Sequence, residues 1–462
     1  MKKIKAVWIL TFSGILLILS FIVLGTGLVA ECSRLNGEYS MQKVLVSVKN
    51  QLDRQGSNSF SIEDIKRLKK ELSTKDISYT AQSGLINTSV SNGSTVLPAR
   101  LTGVDHRYPP FSGLTLKEGS FITQKQEEEG AMVAVIDDEL AWNLFKTVHA
   151  AGKTLELFDG IFRITGVVEK DSTLIGKLTD DGLPDVYIPA SVLLELDATA
   201  RITALQIKTA DTGTLDQNRT NVSNVLGQIG KDPSNYNISD NNLKFALMEQ
   251  KPLLFVFILG MASMLMLLVH IKNCIRKLYF FIRDGCRTDY FTNVLKSNLA
   301  EIGAWILEVA LAILGIVLIW LGIRFKLYIP PQNIPDELIN ISYYSDLIKS
   351  IIQGSIQNMG YIPPHSELIV NAVDMLLNLL FNISVILGCL LLYMGFRELK
   401  ALNMDSIRLI QLFGLFFILS FGILAGAAFL TGLPFMLDRK SILVVWAFVF
   451  LNILPAQRGT FP

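Results

Sequence analysis

Histidine and cysteine are scarce in this chain of 462 residues, at four each. Cys32, Cys274, Cys286 and Cys389 are too few for a disulfide-built scaffold. His106, His149, His270 and His365 are too few and too scattered for a metal cluster. Charge is also sparse: Asp, Glu, Lys and Arg make up 18% of the chain, where a soluble domain averages about 25%. The formal net charge is +1, with no basic excess to suit a nucleic-acid partner. Length suggests about three units at roughly 150 residues each. What the chain has in quantity is apolar residues, at 50%, so it is not a wholly soluble enzyme.

Those residues fall into blocks. The first, Ala6 to Ala30, runs about 25 residues without a charge, and about 20 suffice to cross a bilayer. It is longer than the apolar core of a secretory signal, which spans about 7–15 residues. In Leu28-Val29-Ala30-Glu31-Cys32, Glu31 stands where a lipoprotein cleavage box needs a small residue. An uncleaved anchor is the expectation. After a polar stretch to about 250, apolar blocks resume at about 252–270, 302–323, 369–393, 408–436 and 441–455, the last short for a span. Lys and Arg gather before the first span, after the second (Lys272, Arg276, Lys277, Arg283, Arg287, Lys296) and after the fourth (Arg397, Lys400, Arg408). Positive residues mark the cytoplasmic side. Both termini are therefore expected inside and the 31–250 domain outside, with Arg439 and Lys440 opposing the last hairpin. The division is 1–30 tail and first helix, 31–250 outer domain, 251–323 second and third helices, 324–368 outer loop, and 369–462 C-terminal helices.

The 31–250 stretch reads as α+β. Met41–Asn50 alternates as a strand or helix edge does. Ser61-Ile62-Glu63-Asp64 has the form of a capping box, followed by Ile65, Leu68 and Leu72 at helical spacing. Strands are expected at Ile77–Ala81, Ser94–Thr102, Ala131–Ile136, Val186–Pro189 and Ile202–Thr209, and helices at Asp138–Phe145 and about 214–230. Asp159-Gly160 joins Thr154–Phe158 to Phe162–Val168 as a hairpin. Gly119 and Gly152 suit unusual backbone angles, and Gly166 within a strand suits a bulge or close approach. These signals report packing rather than ligand contact.

One ordered series in this stretch is specific. It runs Leu101-Thr102-Gly103-Val104-Asp105, Leu116-Lys117-Glu118-Gly119-Ser120-Phe121, Val133-Ala134-Val135-Ile136-Asp137 and Leu140-Ala141-Trp142-Asn143-Leu144-Phe145. It continues through Ala151-Gly152-Lys153-Thr154-Leu155 and Phe162-Arg163-Ile164-Thr165-Gly166-Val167-Val168 to Asp185-Val186-Tyr187-Ile188-Pro189. This series resembles the periplasmic core domain of MacB-like (FtsX-like) ABC transporter permeases, which sits between their first two membrane helices. The resemblance implies an α+β extracytoplasmic domain inserted in an α-helical transmembrane bundle, type VII permease-like, here with extra C-terminal spans. It covers the first half well and the remainder poorly: the loop at 324–368 is about 45 residues where the family has a short one, and two further apolar blocks follow.

Catalytic chemistry has little support. Gly152-Lys153-Thr154 is not a P-loop, because Thr147 stands where that motif needs glycine. No histidine neighbours a nucleophile motif. Glu127-Glu128-Glu129 reads as a solvated run, and Asp180-Asp181-Gly182 lacks calcium-loop spacing. No cofactor is expected. Within the spans, Glu301, Glu308 and Asp374 are the ionisable residues of interest. Glu301 suits the cytoplasmic interface, Glu308 lies deeper and needs a partner, and Asp374 sits near the outer end of the fourth span.

In MacB-like permeases the loop after the second span carries a coupling helix that docks into an ATPase. The resemblance carries that role to residues 280–291 of the 271–299 loop, with Phe280, Phe281, Arg283, Gly285, Arg287 and Tyr290 as coupling residues. Aromatic and arginine side chains suit a docking surface. A lipid-facing basic segment is the plainer reading of the same residues. The family's Arg-x-x-Glu-Ile-Gly stretch is not recognisable here; Gly285-Cys286 stands where its Gly-Ala pair would fall. The function this resemblance implies is that of a permease subunit in the cell membrane: a separate ABC ATPase drives it, as a homodimer or with a paired permease, and it transmits the conformational change to the outer domain for efflux or extraction of a drug, peptide, lipid or lipoprotein. A membrane-anchored sensor with a cytoplasmic partner is the alternative, and a polytopic membrane enzyme ranks last.

Overall fold

The computed structural model describes residues 2–49, 58–73, 77–209, 217–287, 290–331, 334, 341–357, 361–401 and 406–453. Its elements run α1 (Lys2–Leu35), β1 (Lys43–Val48), α2 (Ile62–Ser73), β2 (Tyr79–Ser83), β3 (Ile86–Ser91), β4 (Val96–Val104), α3 (Tyr108–Ser112), β5 (Leu116–Gly119), α4 (Gln124–Glu128), β6 (Val133–Asp137) and α5 (Asp138–Phe145). There follow β7 (Thr154–Leu157), β8 (Gly160–Val168), α6 (Leu174–Thr179), β9 (Asp185–Pro189), α7 (Ala190–Leu196), β10 (Ile202–Lys208), α8 (Gln217–Gln228) and β11 (Tyr236–Asp240). The rest is helical: α9 (Asn241–Gly285), α10 (Phe291–Ser297), α11 (Leu299–Ile323), α12 (Ile341–Gln357), α13 (His365–Ile383), α14 (Cys389–Ala401), α15 (Ser406–Thr431) and α16 (Arg439–Ile453). The chain divides into an α/β unit, Val29–Met248 with Tyr328–Met375, and a helical unit, Met1–Leu28 with Glu249–Leu327 and Leu376–Pro462. The 324–368 loop thus falls largely with the α/β unit.

Two bodies of strands make up the α/β unit. The order β11-β1-β10-β2 forms an open antiparallel sheet, joined through β2 to β4. From β4 the pairings run through β3, β7, β8, β6 and β9 and return to β4, closing a ring. The open sheet buries Val44, Val46, Val48, Leu205 and Ile207 against Leu68 and Leu72 of α2 and Val222, Val225 and Leu226 of α8. The ring has its own core, with Leu101, Ile136, Phe162, Ile164, Val186 and Ile188 packed on Leu140, Leu144 and Leu193.

Local chemistry sets many of these elements. The capping box before α2 is reciprocal: Asp64 N–H donates to Ser61 Oγ at 3.1 Å, and Ser61 N–H to Asp64 Oδ2 at 2.9 Å. The expected hairpin forms, but its turn lies one residue earlier, at Phe158-Asp159, with φ of 48° and 60°. A two-residue primed turn needs positive φ at both central positions, and Gly160 instead opens β8 opposite Leu157. Gly166 is both a bulge and a close approach: the β6–β8 register shifts at Ala134/Val135, and a Cβ on Gly166 would stand 2.5 Å from the Ser120 carbonyl oxygen. β3 had no sequence signal because Ile-Asn-Thr-Ser-Val-Ser is mostly small and polar, and only Val90 of it is fully buried.

β1 departs from simple alternation, since all six of its residues are buried. Its second face is covered by polar contacts. The Lys43 ammonium is fully buried and donates to the carbonyl of Asn36, just past α1, at 2.8 Å, and to the carbonyl of Phe111 in α3.

In the helical unit, Phe21 (α1), Phe255 (α9) and Phe381 (α13) meet edge to face, with centroids 5.5, 5.5 and 6.2 Å apart. Ser384, in the π turn between α13 and α14, donates to the Leu17 carbonyl at 2.7 Å. Among the described residues five helices are long and apolar enough to cross a membrane: Lys5–Leu35, Asn241–Gly285, Leu299–Ile323, His365–Leu399 and Ile407–Thr431. α16, at 15 described residues, falls short of the roughly 20 a span needs. Residues 454 and 455 of the sixth apolar block lie outside the described residues.

Burial lowers the Lys43 pKa to about 7 from its usual 10.5. Between those values the unfolded chain holds the proton and the folded chain has released it, so stability rises with pH across the window. Unfolding of the detergent-purified chain from pH 7 to pH 10 should therefore show a Lys43-dependent slope of up to about 1.4 kcal/mol per pH unit. Lys43→Met should remove that slope; equal slopes in the two proteins would refute the assignment.

Candidate functional site

The region expected to couple is built differently from a loop. α9 runs unbroken to Gly285, so Phe280, Phe281, Arg283 and Gly285 occupy its last turns. The separate short helix is α10, Phe291–Ser297, beyond the 280–291 range assigned to coupling, with Tyr290 as its N-terminal flanking residue. Apolar and basic residues continue the α9 helix past the membrane block because no glycine or proline interrupts them before Gly285.

Within this region, the Arg283 guanidinium lies over the Phe280 ring, 4.6 Å from its centroid, and reaches Asp284 Oδ1 at 3.2 Å. Arg287 stands 3.9 Å from the same carboxylate. Phe281 is half-buried and lies edge-on to Trp305 of α11, with ring centroids 5.1 Å apart. Gly285 is where α10 folds back: a Cβ there would meet Val294 Cγ1 at 2.7 Å, and Val294 is buried. Tyr290 and Phe291 are exposed, at 82% and 56%. The structure thus sets Arg283 and Arg287 beside Asp284 with Phe280 against Arg283, leaves Tyr290 outward, and places Phe281 against Trp305 and Gly285 against Val294. Asp284, Val294 and Trp305 were missed; Trp305 lies in the next apolar block, and only the fold brings it to Phe281.

Glu308 has the partner its depth requires. His270 Nε2 of α9 lies 2.9 Å from Glu308 Oε1. Cys274 Sγ lies 3.6 Å from the same His270 nitrogen. The scatter of histidines along the sequence concealed this grouping. Glu301 is exposed in the first turn of α11, where a carboxylate suits the helix N-terminus. Asp374 lies half-buried on α13, in the α/β unit.

In the α/β unit, Arg100 on β4 is buried and grips Asp185, its register partner on β9, through Nε–Oδ1 at 2.6 Å and Nη2–Oδ2 at 2.9 Å. Its other nitrogen reaches Asp181 Oδ1 at 3.1 Å, and Lys170 takes Asp180 at 2.9 Å. The Asp180-Asp181 pair is therefore an ion-pair element rather than a cation loop. Glu127 is likewise engaged, accepting from His106 N–H at 2.8 Å and meeting its Nδ1 at 2.7 Å. Lys153 stands over the Phe145 ring at 4.9 Å, which gives Gly152-Lys153-Thr154 a packing role.

A small cavity beside Arg100 is lined by Tyr108, Asp185, Tyr187, Thr203 and Pro363 and has about 30 Å³ of free space. Sites for drug-sized molecules run to roughly 300–1,000 Å³, so it holds a water or two and no such substrate. Beside it, Tyr361 bonds Ser47 of β1 and Glu367 of α13. Glu367 also accepts from Asn237 of β11 at 3.1 Å and faces Lys244 at 3.6 Å. Burial and the adjoining Glu367 carboxylate push the Tyr361 hydroxyl well up, so it remains a donor.

Residues 8–225 match the family described as MacB-like periplasmic core domain. The chain is 25% identical over 215 residues to the macrolide export ATP-binding/permease protein MacB of Aggregatibacter actinomycetemcomitans, covering 43% of this chain and 31% of that protein. It is 23% identical over 229 residues to the pyoverdine export ATP-binding/permease protein PvdT of Pseudomonas syringae pv. syringae, covering 47% and 34%. A crystal structure of the periplasmic region of MacB from Actinobacillus actinomycetemcomitans is similar at TM-score 0.37 and 20% identity, over 46% of this chain and 94% of that one. The chain spans about a third of the length of the curated relatives it matches. The likeness to MacB-like ABC permeases is borne out in the first half, where residues 8–225 match the MacB-like periplasmic core domain. Its five apolar helices fit a multi-pass membrane protein.

Breaking the Arg100 grip should be costly, because it strands Asp185 beside the cavity. Arg100→Ala should destabilise the chain by about 3–5 kcal/mol, read by denaturant unfolding in detergent. A loss under about 1 kcal/mol, the worth of a surface pair, would contradict the buried-pair reading.

Proposed function

We propose that this chain is the permease subunit of an ABC transporter, driven by an ATPase on a separate polypeptide and working as a homodimer or with a paired permease. The observation that supports this most is placement: the match to the MacB-like periplasmic core domain runs over residues 8–225, from within the first apolar helix into α8, and the next long apolar helix, α9, follows after β11. In this reading both termini and α10 are cytoplasmic and the α/β unit is extracytoplasmic in a cell membrane. ATP binding moves α10, and α9 carries the movement to β11. The work is transmission of force to an outer domain, with efflux or extraction of a drug, peptide, lipid or lipoprotein as its outcome. Export is printed in the names of both relatives, for a macrolide and for pyoverdine.

In this reading the ATPase meets the outward residues of the α9–α10 junction, Arg283, Arg287 and Tyr290, with Phe280 backing Arg283. Phe281 and Gly285 hold the junction's shape.

Gentle detergent extraction from the native membrane should recover a stoichiometric ABC-type ATPase with the tagged chain. Recovery of the chain alone, or with a kinase, would move the function to sensing. With the ATPase in hand, the Arg287→Ala/Tyr290→Ala double variant should lower its copurification by about tenfold, the equivalent of one hot-spot residue at about 1.4 kcal/mol. Undiminished copurification would remove these residues from the interface.

A further inference from the structure

We infer that His270, Cys274 and Glu308 form a binding site for a borderline-soft divalent cation of the zinc class, joining α9 to α11. Three observations carry this. His270 and Cys274 are four residues apart on α9, so their donor atoms share one helix face. Glu308 meets them from α11, and the imidazole, thiol and carboxylate donor atoms all lie within 4.8 Å of one another. The individual separations suit one shared ion. Tetrahedral zinc at about 2.3 Å from sulfur and about 2.0–2.1 Å from nitrogen and oxygen holds its donors roughly 3.3–3.6 Å apart. Here sulfur to nitrogen is 3.6 Å, and nitrogen to oxygen is 2.9 Å, a hydrogen-bond distance that opens slightly around a cation.

The donor types select the metal. Thiolate and imidazole suit zinc and its neighbours, and disfavour magnesium and calcium, which take oxygen. Charge points the same way. A carboxylate is costly in an apolar helix bundle. On binding, the Cys274 thiol gives its proton to solvent, and thiolate plus carboxylate then balance a doubly charged cation, leaving a neutral site. Cys274 is 4% exposed, while the His270 and Glu308 side chains are 44% and 46% exposed, so the protein leaves one side of the site open for a fourth ligand. The ion would staple α9 to α11 on either side of the α10 connection.

The test uses the full chain, purified in detergent and stripped with chelator, with Co²⁺ as the optical probe and Zn²⁺ as competitor. One equivalent of Co²⁺ should produce a thiolate-to-cobalt charge-transfer band that Zn²⁺ abolishes. Cys274→Ser should eliminate the band, and Glu308→Gln should weaken Co²⁺ binding by at least about 100-fold, the upper end of what loss of an outer-shell partner costs. Cys286→Ser should leave the band intact. X-ray absorption of the Zn²⁺-loaded wild-type chain needs no variant to fold, and should show one sulfur at about 2.3 Å with nitrogen and oxygen at about 2.0–2.1 Å. Absence of the band, its survival in Cys274→Ser, or a zinc shell without sulfur would overturn the assignment.

Discussion

The α/β unit depends on the antiparallel ladder between β1 and β11. β1 is the strand after α1, β11 the strand before α9, and they pair from Val44↔Asp240 to Val48↔Tyr236. A domain inserted between two helices must let the chain enter and leave at neighbouring points, and this ladder does so with main-chain bonds. Polar groups fix each junction. On β1, Lys43 holds the carbonyl of Asn36 where α1 ends. On β11, Asp240 Oδ1 accepts from the Leu243 N–H in the first turn of α9. A buried lysine is an expensive fixture. Two carbonyl acceptors suit a neutral amine, which has two N–H donors to give, and this agrees with its lowered pKa.

β11 is also the open edge of the sheet, and an open edge of unpaired groups invites association. Beside that edge, across one face of the β1–β11 ladder, lies the chain's own later segment. Tyr361 reaches Ser47, and Glu367 reaches Asn237 and Lys244. The stretch 361–367 thereby binds β1 and β11 together from a position more than a hundred residues further along. The long 324–368 segment is where this chain departs most from the resemblance its first half shows. Its C-terminal end is accordingly an integral part of the α/β unit.

How much of this was legible follows from the range of each signal. The capping box at Ser61-Asp64, the α5 helix and the glycine at 166 were read correctly because a few adjacent residues decide them. The hairpin was read correctly and its turn was not. Asp-Gly is a strong signal, but strand register put the positive φ values on Phe158 and Asp159. The helix over Phe280–Gly285 was not legible because aromatic and charged residues there alternate without a clean stripe, whereas the structure continues α9 through them to Gly285. Glu308 was correctly seen to need a partner. That partner, His270, lies 38 residues earlier on another helix, and sequence spacing holds no trace of it. Arg100 with Asp185 is hidden for the same reason, since only the parallel β4–β9 register sets them side by side.

The proposed transmission asks most of α9. It is 45 residues long, about 67 Å at 1.5 Å per residue. An isolated helix of that length would bend wherever its bonding fails, and Pro252 is such a place because it cannot donate to the carbonyl of Met248. Buried packing lies close by, with Met248 and Phe255 both enclosed and Phe255 locked between Phe21 and Phe381. The proline turn of the helix thus lies next to the packed cluster of Phe21, Phe255 and Phe381. Movement applied at α10 would pass along α9 to that packed cluster with little loss. On the other side of it, Pro252 is the turn at which α9 lacks a main-chain bond before the helix continues back to Asn241. Rigidity in one stretch and a single permitted bend in the next are what a lever needs.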